Sequence, residues 1–155
     1  MKSFLRYWLP LLVWMLVIYG GSADPQSMAH TSRFLVPILR WFNPNVSQET
    51  IDAVRWVVRK GAHVTEYAIL AWLAWRVFRH PSRGNVRPWL WKEAAAALIT
   101  AACYAATDEF HQSFVKGRGA SVVDVGIDTF GAAMGLLFVW VIFRWRRREA
   151  RRSTT

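Results

Sequence analysis

Four apolar stretches, at about residues 7–23, 57–78, 92–112 and 122–143, each approach the roughly 20 residues needed to cross a hydrocarbon core as helix. In lipid an open strand leaves its backbone ladder unpaired, at a cost of several kcal/mol per group, so such stretches must be helical. The 155-residue chain is thereby constrained to a single all-α membrane domain. Its expected parts are four transmembrane helices in a small bundle, an outer loop at 24–56 carrying a short amphipathic helix, and a basic tail at 144–155. The lone Cys103 excludes an intrachain disulfide and a cysteine-ligated zinc site. No Gly-rich phosphate loop, dinucleotide fingerprint or nucleic-acid motif is present, so neither a cofactor nor a nucleic-acid partner is expected.

The formal net charge of +10 would suit nucleic acid or anionic headgroups, and the apolar runs decide for membrane lipids. With the N-terminus in the cytoplasm, the inner segments hold Lys2, Arg6, the cations from Arg76 to Lys92, and the Arg-rich tail. The outer segments hold fewer, namely Arg33, Arg40, Arg55, Arg59, Lys60, Lys116 and Arg118. The positive-inside rule therefore places both termini in the cytoplasm of a multi-pass inner-membrane protein. The first run also fits a signal peptide, with Gly21, Ser22 and Ala23 as a cleavage site; the other three helices keep their direction either way. In the outer loop, residues 34–42 suit the membrane interface. Ser47 then opens a helix as its N-cap, either a surface helix leading into the second span or a lid over the outer mouth.

Ionisable groups inside three of these helices carry the functional signal, because each costs roughly 2.5 to 3.5 kcal/mol at the centre of a span unless it faces a bundle interior or water. Lys60, His63 and Glu66 recur every three residues, with Tyr67 between their directions. Asp108 and His111 share a face with Tyr104, flanked by Gln112. Glu109 is about 100° off that face and could equally point to water. Asp124 and Asp128 share a face with Ser121 that continues through Gly131 and Gly135, a G-x-x-x-G spacing that lets a neighbouring helix approach. Counting 1.5 Å per residue, Glu66 lies about 9 Å below Lys60, and Asp108 and Asp128 come out level with it. His63, His111, Gln112 and Asp124 form a shallower layer under a basic rim of Lys60, Lys116 and Arg118. The inner halves of the same helices carry no charge, so the pattern is a blind cup open to the outside.

The strings Lys60-x-x-His63-x-x-Glu66-Tyr67, Asp108-Glu109-x-His111-Gln112-x-Phe114, Gly117-Arg118, and Asp124 with Asp128 and Gly131 resemble the VanZ-like family of bacterial membrane proteins. The match runs from residue 59 to about 140, with Val64 where an aromatic residue is common and Lys116 where a proline often precedes Gly-Arg. The resemblance implies a small integral membrane protein of a family associated with resistance to teicoplanin-type glycopeptide antibiotics. It implies no particular chemistry.

The first functional expectation is a cup that binds the polar part of an amphiphile, either a lipid-linked envelope intermediate or a lipid-tailed glycopeptide. Lys60, Lys116 and Arg118 would meet phosphate or carboxylate, and Glu66, Asp108 and Asp128 would take hydrogen-bond donors or an amine. The second is an enzyme with His63 or His111 as base and a buried carboxyl as acid, acting on a lipid-linked substrate. A metal-assisted version would use His63, Glu66, Asp108 and Asp124, although their spacing matches no named site. The third is a ligand-free network fixing helix register, with Glu66 on Lys60 or His63, and Asp128 on Arg118.

Overall fold

The computed structural model describes residues 2–23, 27–79, 88–115 and 119–152. These residues form five helices: α1 (Lys2–Ala23), α2 (Ser27–Phe42), α3 (Gln48–Phe78), α4 (Trp91–Gln112) and α5 (Val122–Arg152), with no strand among the described residues. The fold is all-α, as expected, but the boundaries differ in two places. The helix opened by Ser47 is not separate from the second span. Ser47 Oγ accepts the Thr50 N–H at 3.2 Å, and no proline or other break follows, so one 31-residue helix runs to Phe78. At 31 residues it is about 46 Å long. Likewise the basic tail is not a separate segment, because α5 continues through it to Arg152.

Proline leaves a trace that the fold repairs. Pro10 lies inside α1 and has no N–H to give the carbonyl of Arg6. The Arg76 guanidinium reaches that carbonyl oxygen at 3.5 Å. The hydroxyls of Thr65, Thr100 and Thr129 donate to the carbonyl four residues back, which satisfies them inside otherwise apolar helices.

Contacts fix the relative directions. Lys60 meets Asp124 and His63 meets Asp128, so α3 and α5 run the same way. Arg79 meets Glu93 while Tyr67 meets Asp108, so α4 runs opposite to α3. Tyr104 bonds Met15 and Ser22 bonds Asp108, so α1 runs with α4. The result is an up-down-up-down arrangement of α1, α3, α4 and α5, in which α1 begins at the end of the bundle where α5 finishes. The α2 helix packs on α3, leaving Phe34, Ile38, Trp41 and Phe42 exposed.

Small residues make the seams. On α4, Ala94, Ala97, Ala101 and Ala105 are buried in one stripe, which admits neighbouring helices closely where lipid supplies no hydrophobic drive for association. On α5, a Cβ added at Gly131 would sit 2.5 Å from the Val64 carbonyl oxygen, and one at Gly135 would sit 2.7 Å from the Ala68 Cα. Backbone thus lies on backbone between α5 and α3.

Many large apolar side chains point outward, including Leu16, Phe138 and Val123, while Asp108, Glu109, Gln112 and Asp128 are buried. This is the reverse of a water-soluble surface. By length and composition, however, two helices rather than four among the described residues qualify as membrane spans, over Phe4–Ser22 and Val122–Ala150. The other two expected spans, in α3 and α4, carry the ionisable groups that lower their mean hydropathy.

Candidate functional site

Two pairings stack along the α3 seam in the half of the bundle where α3 enters it. Uppermost, Lys60 Nζ donates to Asp124 Oδ1 at 2.5 Å, and both side chains are partly exposed. One turn further, His63 Nδ1 stands 3.2 Å from Asp128 Oδ1. The two groups face each other at ion-pair distance, and the second carboxylate oxygen of Asp128, Oδ2, has no hydrogen-bond partner among the described residues. Glu66 is half-buried on the next turn, and its charge bears on His63 together with that of Asp128.

Deeper on the α4 side, Asp108 Oδ2 accepts from Ser22 Oγ at 2.8 Å, Gln112 Nε2 at 3.0 Å and Tyr67 OH at 3.4 Å. Helices α1, α3 and α4 therefore meet on one oxygen. The other, Asp108 Oδ1, is buried with no bonded partner. Of the three donors only Gln112 follows from helical repeat, four residues past Asp108 on one face, while Tyr67 and Ser22 are brought by packing. On all three site helices the seam changes character at this level. Towards the other end of these helices Ala74, Ala97 and Leu136 are buried, so the bundle interior beyond the polar groups is apolar there.

Glu109 does not point to water. It is 3% exposed, and its Oε2 accepts the Ser121 backbone N–H at 2.9 Å. Ser121 Oγ in turn accepts the Asp124 N–H at 3.3 Å, so a carboxylate and a hydroxyl together cap the start of α5. Negative charge there is favoured by the helix dipole. The sequence signal was Ser-x-x-Asp just before an apolar run.

Other expected residues are placed differently. The His111 ring lies against Tyr19, centroids 4.4 Å apart, on the α1 side rather than beside the α5 carboxylates. Asp128 meets His63, and Lys60 meets Asp124; the Asp128–Arg118 pairing falls outside the described residues. Lys116 and Arg118 lie outside the described residues, so Lys60 is the described member of the expected basic rim. Gly131 and Gly135 act in packing. Among the described residues, no group of three or more His, Cys, Asp or Glu side chains converges to hold a metal, so His63, Glu66, Asp108 and Asp124 do not assemble as a metal site.

Sequence reasoning missed the contribution of α1. Ser22, read there as part of a cleavage site, is buried on Asp108. Two more bonds attach this helix through backbone carbonyls: Trp14 Nε1 to Glu66 O at 2.9 Å and Tyr104 OH to Met15 O at 2.6 Å. No single-helix periodicity could reveal them. Tyr104→Phe should lower stability by about 1 kcal/mol, read as a fall in the melting temperature of the detergent-solubilised protein.

A family profile described as VanZ/LLP1 matches residues 7–144, nearly the whole chain. The chain belongs to this family. The match includes α1, so the VanZ/LLP1 region takes in Ser22 as well as the three helices that carry the ionisable groups. Comparisons with curated proteins and with solved structures returned no match. Family membership and the two apolar helices together indicate a membrane protein.

Proposed function

We propose that α1, α3, α4 and α5 all cross the inner membrane with both termini in the cytoplasm, and that the polar cluster is a cup open to the outer leaflet. The cup binds the polar part of an amphiphile, a lipid-linked cell-envelope intermediate or a lipid-tailed glycopeptide antibiotic. The observation that carries this reading is the set of buried carboxylate oxygens without a bonded partner among the described residues, Asp108 Oδ1, Glu109 Oε1 and Asp128 Oδ2. Buried carboxylates left partly unbonded are costly in a protein interior, and an ammonium or hydroxyl donor from a ligand would satisfy them. Glu66, Asp108, Glu109, Asp124 and Asp128 outnumber Lys60 and His63 there, which favours a donor-rich or amine-bearing headgroup. The apolar interior beyond the polar groups favours binding over passage across the membrane. Contribution to antibiotic resistance would follow from capturing the drug or the intermediate it targets.

Labelled outer-leaflet lipids incubated with the purified protein should be retained as one class. Retention should fall at least roughly tenfold in folded Asp128→Asn and Glu66→Gln proteins, the scale of one charge-assisted hydrogen bond. Normal binding by both variants would rule out the cup as the ligand site, and equal loss of folding in all variants would favour a purely structural network.

The contact between His63 Nδ1 and Asp128 supports a second reading, acid–base catalysis on a lipid-linked substrate. A carboxylate beside one ring nitrogen orients an imidazole so that its other nitrogen can exchange a proton with a substrate. Product formation that His63→Gln abolishes while lipid retention persists would favour this reading.

A further inference from the structure

We infer that the outer face of the α3/α5 pair holds one acyl chain of an anionic phospholipid drawn from the leaflet on the Arg-rich side, with its phosphate at Arg76 and Arg146. The sidedness rests on the proposed topology; the pairing of groove and cations does not. A groove of about 570 Å³ runs along this face, lined by Thr65, Trp72, Gly135, Phe138, Ile142 and Arg146 among others. It exists because Gly135 has no side chain: the bulky neighbours above and below stand proud of the bare backbone contact with Ala68.

Two dimensions select the occupant. From Gly135 to Arg146 the helix rises about 16 Å, which is half of a hydrocarbon core of about 30 Å and so the depth of one leaflet. The charge is all at one end. The Arg76 guanidinium lies 5.1 Å from the Trp72 ring centroid, and those of Arg79 and Arg147 lie 4.8 and 5.6 Å from Phe143. With Arg146 in the lining and the other three beside its Trp72 and Phe143, four guanidinium groups gather at this end of the groove, and Glu93 contacts one of them, Arg79, at 3.6 Å. An apolar slot one leaflet deep beneath a cationic mouth matches a phosphodiester on an acyl chain. A second copy of this chain fits less well, because a two-fold contact through the groove would bring two such Arg clusters together at one depth. The cup lies elsewhere: Asp128 is about 10 Å along α5 from Gly135, on the far side from the mouth.

The test uses the full chain reconstituted in vesicles of equimolar phosphatidylglycerol and phosphatidylcholine, then extracted and weighed intact with its retained lipid. One phosphatidylglycerol per chain should be retained in preference to phosphatidylcholine by roughly tenfold or more. The double variant Arg76→Gln with Arg146→Gln leaves the groove unfilled and should lose that preference. Ile142→Trp should expel the lipid, whereas Asp128→Asn should leave it in place. Equal retention of the two lipids, or an undiminished preference in the double-Gln protein, overturns the proposal. A dimer that Ile142→Trp disperses would assign the groove to a second copy and overturn it too.

Discussion

Gly135→Leu protein should fail to accumulate as a monodisperse folded species in detergent, while Gly126→Ala protein, altered in the same helix, should melt slightly higher than the unsubstituted chain. At Gly135 the first side-chain carbon alone would lie 2.7 Å from both the Cα and the carbonyl oxygen of Ala68, and 2.8 Å from its Cβ. Those atoms are backbone or fixed to it, so no rotamer change relieves the overlap; α5 must move away from α3. Overpacking of a close interface typically costs about 1 to 3 kcal/mol, and separation here would also pull Lys60 from Asp124 and His63 from Asp128. Gly135→Ala should fall between the extremes. At Gly126 an added carbon meets nothing within 4 Å, so the substitution only reduces backbone freedom, worth about 0.5 to 1 kcal/mol in a helix. A Gly135→Leu chain with an unchanged melting temperature would show that α3 and α5 do not make this contact.

Asp108→Ala should be the most damaging change in the polar cluster, and Asp108→Asn should separate stability from binding. One Asp108 oxygen accepts from Ser22, Tyr67 and Gln112. Removing it leaves donors from three helices buried without their acceptor, at about 1 to 3 kcal/mol each. Even allowing for mutual rescue between Ser22 and Gln112, which lie 3.5 Å apart, a loss of about 3 kcal/mol is expected, measured by thermal unfolding in detergent. Asn keeps a carbonyl oxygen for these donors and removes the negative charge. Its folding should therefore be much closer to the unsubstituted chain, while retention of an amine-bearing or donor-rich amphiphile should fall by roughly tenfold or more. If Asp108→Ala melts normally, the three-helix junction is not a source of stability. If Asp108→Asn binds normally, the charge is not part of the ligand site.

The all-helical class and the ends of the apolar segments were legible because both depend on local properties. Run length and backbone hydrogen bonding in hydrocarbon require helix over each apolar stretch. The ends of α3 at Phe78 and of α4 at Gln112 fall where the hydrophobic pattern puts them. The start of α3 was less legible, since the polar turns after Ser47 continue into the apolar stretch with no break to mark the change. Periodicity also identified which ionisable residues share a face. Lys60, His63, Asp124 and Asp128 do meet across the α3/α5 seam, and Gly131 with Gly135 mark the contact that brings them there.

Pairing was beyond the reach of spacing. Helical repeat gives an angle around one axis and a height along it, but says nothing of which neighbour lies opposite. Spacing therefore did not foretell that Asp128 meets His63, that Glu109 turns to the start of α5, or that His111 rests on Tyr19. Ser22 was the clearest case, because a single hydroxyl at the end of an apolar run has no local signature of being the donor to a buried carboxylate some 86 residues away. Sequence alone determined that this chain is helical, that three of its helices each carry a polar face, and which family it resembles. Tertiary packing alone decided which acid faces which donor, because that depends on the rotation and register of rigid helices against one another, set by where glycine and alanine let their backbones touch.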